Sequence, residues 1–84
     1  MIERTVAVAS SQGLHARPAA LFAQAAATAG VPVTITFGDR TVNAASILSV
    51  IGLGVNQGDE VTLRGEDAIV VEALAAVLNT DHDA

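Results

Sequence analysis

Val33-Thr34-Ile35-Thr36-Phe37, then Gly38-Asp39, then Arg40-Thr41-Val42-Asn43 is the stretch that decides the fold. β-Branched and aromatic residues suit a pleated, half-buried surface. A glycine-led pair between two such runs signals a two-residue hairpin. The stretch therefore predicts two antiparallel strands. Upstream, Ala16 to Ala29 is rich in Ala, holds no Gly, has Pro18 near its start and is closed by Gly30 and Pro32. That pattern predicts a helix. Ser10 to Gly13 reads as a polar loop, and Glu3 to Ala9, with Thr5, Val6 and Val8, as a strand.

Downstream, Ser46 is placed to cap a short helix from Ile47 to Ile51, ended by Gly52 and Gly54. Asn56 to Asp59 reads as a turn and Glu60 to Arg64 as the fourth strand. Gly65-Glu66-Asp67 is a turn and cap before a helix from Ala68 to Leu78, with Val70, Leu74, Val77 and Leu78 on one face. Asp81 to Ala84 reads as a loose tail. Four short strands and three helices fit one two-layer domain over residues 1–84, with helices packed on one face of a mostly antiparallel sheet.

Composition narrows the function. The 84 residues carry nine Asp plus Glu against four Arg and no Lys, a net charge of −5. Neutralising nucleic-acid phosphates needs clustered positive charge, which this chain lacks. The absence of Cys excludes a disulfide framework, a thiolate zinc site and a Cys nucleophile. Met1 to Thr5 does not open a signal peptide, and no apolar run is long enough to insert in a membrane. An apolar fraction of 51% argues against disorder. So small a domain rarely encloses a deep pocket, so chemistry is expected on the surface.

The informative segment is Gly13-Leu14-His15-Ala16-Arg17-Pro18-Ala19. His15 lies where loop meets helix, beside backbone N–H groups of Ala16 and Arg17 that have no partner within the helix. Such an end attracts anions through donors and dipole together. Arg17 adds a guanidinium that can fork onto a phosphate. A nucleophilic nitrogen in positive potential suits accepting and holding a dianionic phosphoryl group. Without a second base or a metal there is little to activate water. A lone histidine here can also merely cap a helix; the adjoining Gly, Arg and Pro favour the chemical reading.

This run resembles the active-site signature of the HPr family, the histidine-containing phosphocarriers of the bacterial phosphoenolpyruvate:sugar phosphotransferase system. Val42-Asn43-Ala44-Ala45-Ser46-Ile47-Leu48 with Leu53-Gly54-Val55, and Gly58-Asp59-Glu60-Val61-Thr62-Leu63 with Gly65-Glu66-Asp67, are similar to two further stretches of that family. The resemblance implies an α+β open-faced β-sandwich, β-α-β-β-α-β-α, with a four-stranded antiparallel sheet and three helices on one face. It implies that phosphorylated enzyme I phosphorylates His15 on Nδ1, and that the phosphohistidine donates to an enzyme IIA domain of a sugar permease. Arg17 then stabilises the phosphate. Such a carrier is a stoichiometric cosubstrate rather than an enzyme, a cytoplasmic monomer with no cofactor beyond its covalent phosphohistidine. Ser46 corresponds to a serine that an HPr kinase phosphorylates in some bacteria. The family commonly has Lys before that serine; here it is Ala45.

Helical spacing puts Arg17, Ala20, Leu21, Gln24 and Thr28 on one face of the first helix, and Pro18, Ala19, Phe22, Ala26 and Ala29 on the core face. A two-turn helix cannot bury Ile47, Leu48, Val50, Ile51 and Leu53 all round. Ala20, Leu21, Ile47, Leu48 and Ile51 are therefore expected to form an apolar partner-binding patch near His15. Gln12 is a weaker candidate to donate to phosphate, and Asp81-His82-Asp83 is a poor metal site because adjacent tail residues rarely converge on one ion. A carrier in a nitrogen-related or dihydroxyacetone-kinase phosphorelay would show the same site. A regulatory binding module acting through Ser46 alone is the remaining alternative, against which the presence of both His15 and Arg17 argues.

Overall fold

The computed structural model describes residues 1–80. The chain runs β1 (Ile2–Ala7), α1 (Ala16–Ala29), β2 (Val33–Phe37), β3 (Arg40–Asn43), α2 (Ile47–Gly52), β4 (Glu60–Gly65) and α3 (Ala68–Leu78). The hairpin forms as its sequence requires: Phe37 pairs with Arg40, and Gly38 alone takes a positive φ, +63°. A glycine at the first central position is what a type II′ turn demands.

The sheet order is β1-β4-β2-β3, and every neighbouring pair is antiparallel. Alternation divides its two faces. Val6, Val33, Ile35, Val61 and Leu63 are buried with Phe22, Val71 and Leu74 of the helices. On the open face, the register aligns Thr5, Thr62, Thr36 and Thr41 in one row across all four strands. Their hydroxyls pair at 3.0 Å (Thr5–Thr62) and 2.8 Å (Thr36–Thr41). The directly opposed Glu3 and Arg64 form an ion pair at 3.2 Å beside that row. One face is thus apolar and covered by helices, while the other is polar and bare.

The structure shifts several sequence expectations. β1 starts at Ile2 and ends at Ala7, short of the expected Ala9. Val8 and Ala9 leave the ladder because their N–H groups donate to Asp59 and to Leu78, the last residue of α3, at 3.0 and 2.9 Å. On α1 the buried residues are Pro18, Ala19, Phe22, Ala23 and Ala26, while Ala29 is half-buried. Residues 19, 22, 23 and 26 form one i, i+3, i+4, i+7 stripe, which Ala29 extends into the last turn, where cover is only partial. On α3 the buried face is Val71, Leu74, Ala75 and Leu78, with Val70 and Val77 half-buried. That helix is apolar nearly all round, so its own periodicity does not select a face; packing against α1 and β1 does. The tail at 81–84, including the Asp81-His82-Asp83 candidate, lies outside the described residues.

Helix starts also differ from one another. Asp67 caps α3, its carboxylate accepting from the N–H of Ile69 and Val70 at 3.0 and 3.3 Å. Ser46 occupies the cap position of α2, but its hydroxyl makes no cap bond to the helix backbone. It donates instead to the Ser49 hydroxyl at 3.0 Å. The chain enters α2 through Asn43, whose side-chain oxygen accepts from the Ala45 N–H at 2.9 Å.

Candidate phosphoryl-transfer site

His15 is the residue immediately before α1, with extended backbone (φ −85°, ψ −165°). Its carbonyl accepts the Ala19 N–H at 2.9 Å, which closes the first turn. Its imidazole is not spent on capping, since no side-chain bond to the helix forms. Of the next three residues, Pro18 has no N–H, so the donors at this end belong to Ala16 and Arg17. Pro18 and Ala19 are buried while His15, Ala16 and Arg17 are exposed. A buried proline therefore anchors the first turn, and the histidine end faces solvent.

The loop before His15 is locked from below. Gly13 has φ +64°, and a Cβ there would sit 2.4 Å from the Val55 carbonyl oxygen and 2.8 Å from Asn56 Cα. Only glycine combines that backbone with that approach. The same Val55 carbonyl accepts the Leu14 N–H at 3.0 Å, and the Gly13 N–H donates to the Ser10 carbonyl at 2.9 Å. Leu14 and Ser10 are both 2% exposed, which fixes the loop on the core. The segment from Val55 to Asp59 is itself tied by the Asn56 N–H to the Asp59 carboxylate at 2.9 Å. Gly13 and Val55 each stand in a motif of the sequence, but nothing local signals their contact, because it joins segments 42 residues apart (55 − 13).

Electrostatics single out Arg17. Arg4 pairs with Glu72 at 2.9 Å and Arg64 with Glu3 at 3.2 Å. Arg40 donates to the Gly52 carbonyl at 2.9 Å. Among the described residues, Arg17 alone of the four arginines makes none of these bonds, so its guanidinium remains available beside His15. Among the described residues no group of three His, Asp or Glu side chains is gathered that could hold a metal ion, and no helix is long and apolar enough to cross a membrane.

The apolar residues singled out from sequence separate into two sets. Leu48 is 80% exposed, Leu21 41% and Ile47 38%. Ala20 is half-buried. Ile51, expected in the exposed patch, is instead half-buried against the core. It lies four residues after Ile47, but it directly follows Val50, the buried residue of the helix, and packs against the core with it. Gln12 is exposed, and its N–H points back to the Ser10 hydroxyl at 3.4 Å. A surface concavity of about 500 Å³ lined by Val31, Pro32, Glu66, Asp67, Ala68 and Ile69 opens at the other end of α1, away from His15. The histidine site is a convex helix end and not a pocket.

Known proteins share this arrangement. Residues 2–80 match the family model described as the PTS HPr component phosphorylation site. The phosphocarrier protein HPr of Streptomyces coelicolor is 52% identical over 67 residues, 79% of this chain and 72% of its own. The crystal structure of HPr-C-His from Thermoanaerobacter tengcongensis superposes with a TM-score of 0.86 at 37% identity, covering 93% of this chain and 91% of that one. That of a phosphocarrier protein HPr from Bacillus anthracis gives 0.85 at 39%, covering 92% and 95%. Sheet order, the exposed histidine at the start of α1 and these matches agree: the chain belongs to the HPr family of phosphotransferase-system phosphocarriers.

Proposed function

We propose that His15 carries a phosphoryl group from phosphorylated enzyme I to an enzyme IIA domain of a sugar permease. The observation that supports this is the exposed imidazole beside the N–H groups of Ala16 and Arg17, with an Arg17 guanidinium that makes no ion pair among the described residues. The Nδ1 lone pair of His15 attacks the phosphorus of the donor's phosphohistidine. The new N–P bond forms as the donor's N–P bond breaks. The donor imidazole leaves with that electron pair, and each ring keeps the proton on its other nitrogen. No Asp or Glu lies near His15 along the chain to serve as a base for water, and this favours holding the group over hydrolysing it. Donors and cation aimed at the phosphoryl oxygens stabilise the charge during transfer.

The chain acts as a cosubstrate, phosphorylated and regenerated in a cytoplasmic relay. Enzyme I and enzyme IIA dock in turn over Ala20, Leu21, Ile47 and Leu48, with Ile51 supporting them from beneath. Transient exchange of this kind suits a small interface. The test is incubation with enzyme I and phosphoenolpyruvate. The expected product is a base-stable, acid-labile adduct that His15→Ala abolishes and Arg17→Ala slows. A His15→Ala protein that still became labelled would refute the assignment. An acceptor screen over enzyme IIA domains separates a sugar relay from a nitrogen-related or dihydroxyacetone-kinase relay. Incubation with an HPr kinase and ATP, read by mass spectrometry, tests phosphorylation of Ser46.

A further inference from the structure

α2 is a helix that does not stand on its own. It has six residues, no acidic residue in its first turn, no basic residue in its last, and no side-chain bond at its N-cap. Helices below about 12 residues are marginal in isolation, so one this short depends on what surrounds it. Its only buried residue is Val50, followed by Leu53 just beyond the end. At that end the Leu53 and Gly54 N–H groups fold back onto the Val50 and Ile51 carbonyls at 3.2 and 3.1 Å. The Gly52 carbonyl, pointing outward, is taken by the Arg40 guanidinium at 2.9 Å. Arg40 opens β3 directly after the Gly38-Asp39 turn. A cation from the hairpin thus sits at the negative end of the helix dipole and supplies the missing C-terminal bond.

We infer that Arg40 is a positioning residue for partner docking: it clamps the last turn of α2 to the hairpin and so sets the presentation of Ile47 and Leu48. This rests on the docking surface proposed above. The side chain touches no reacting atom, so its loss acts on partner affinity and not on the transfer step.

The test measures phosphoryl transfer from phosphorylated enzyme I to this chain as a function of chain concentration, at low and high salt. Hydrogen exchange of the Leu53 and Gly54 amides is followed alongside. Arg40→Met keeps the stem and removes the donors. The expected result is a KM raised about 3–10-fold with kcat unchanged, the size of effect one helix-terminal bond provides, together with faster exchange at both amides. The rise persists at high salt, and Arg40→Lys, which retains N–H donors and the charge, recovers most of it. An unchanged KM overturns the proposal. So does a rise that disappears at high salt with amide exchange unaltered, which makes Arg40 a direct charge contact with the partner. Leu48→Asp serves as the reference: if it raises KM and Arg40→Met does not, the clamp alone fails. If neither does, the docking surface fails with it.

Discussion

Replacing Gly13 by Ala tests how the loop before His15 is held. Two costs add. A non-glycine residue in the left-handed region costs about 1–2 kcal/mol, and Gly13 sits there at φ +64°. The new Cβ also meets the Val55 carbonyl oxygen at 2.4 Å, inside the 3.0 Å that Cβ contacts essentially never breach. The loop must retreat, and the Leu14 N–H bond to that same oxygen, 3.0 Å long, is stretched or lost for about 0.5–1.5 kcal/mol. The sum is about 1.5–3.5 kcal/mol. A domain of 84 residues has a total stability of about 4–13 kcal/mol, so the variant stays folded with a much reduced margin. A loss near the middle of that range lowers Tm by roughly 10–20 °C.

Gly30→Ala and Gly38→Ala are the controls. Both sites have positive φ, +74° and +63°, and open space where a Cβ would go. They report the backbone cost alone. Urea titrations of the three variants separate the two terms: Gly13→Ala should lose at least 0.5 kcal/mol more than either control, about one hydrogen bond's worth. Equal losses would show that the Val55 contact contributes nothing. At a temperature where Gly13→Ala is fully folded, it should also accept phosphoryl groups more slowly than the controls, because the retreating loop carries His15.

Three further outcomes follow from the structure. Ser46→Ala should cost less than about 0.5 kcal/mol in a urea titration while Asp67→Ala costs about 1, since the Asp67 carboxylate alone of the two makes cap bonds. Phe22→Ala should lose about 3–5 kcal/mol, because that ring is wholly buried, whereas Leu48→Asp, at a side chain 80% exposed, should change thermal stability little and weaken transfer. The Glu3–Arg64 pair is about half exposed on both sides. A double-mutant cycle should therefore assign it no more than about 1 kcal/mol, shrinking as salt is added.

The hairpin at 33–43, the first helix with its Gly30 stop and the histidine at that helix's start were all legible in sequence, because each rests on neighbours within a few residues. A positive-φ glycine, a missing proline N–H and a pair of orphan donors are local facts. The element order followed from them, and with it a two-layer domain; the open-faced sandwich was what the resemblance to the HPr family implied. The buried face of α3 was not legible: an eleven-residue helix with one charge leaves the choice of face to α1 and the sheet. Nor was the fate of Ser46, whose hydroxyl had two nearby partners and took Ser49 rather than the backbone. Ile51 packs against a core assembled from distant segments, which its place in a short helix does not reveal. The Gly13–Val55 contact and the Arg40–Gly52 bond join segments that only the folded chain brings together. Sequence by itself therefore singled out His15 and Arg17 and placed them at a helix start. Tertiary structure decided how they are held, since rigidity here comes from contacts made across the chain rather than along it.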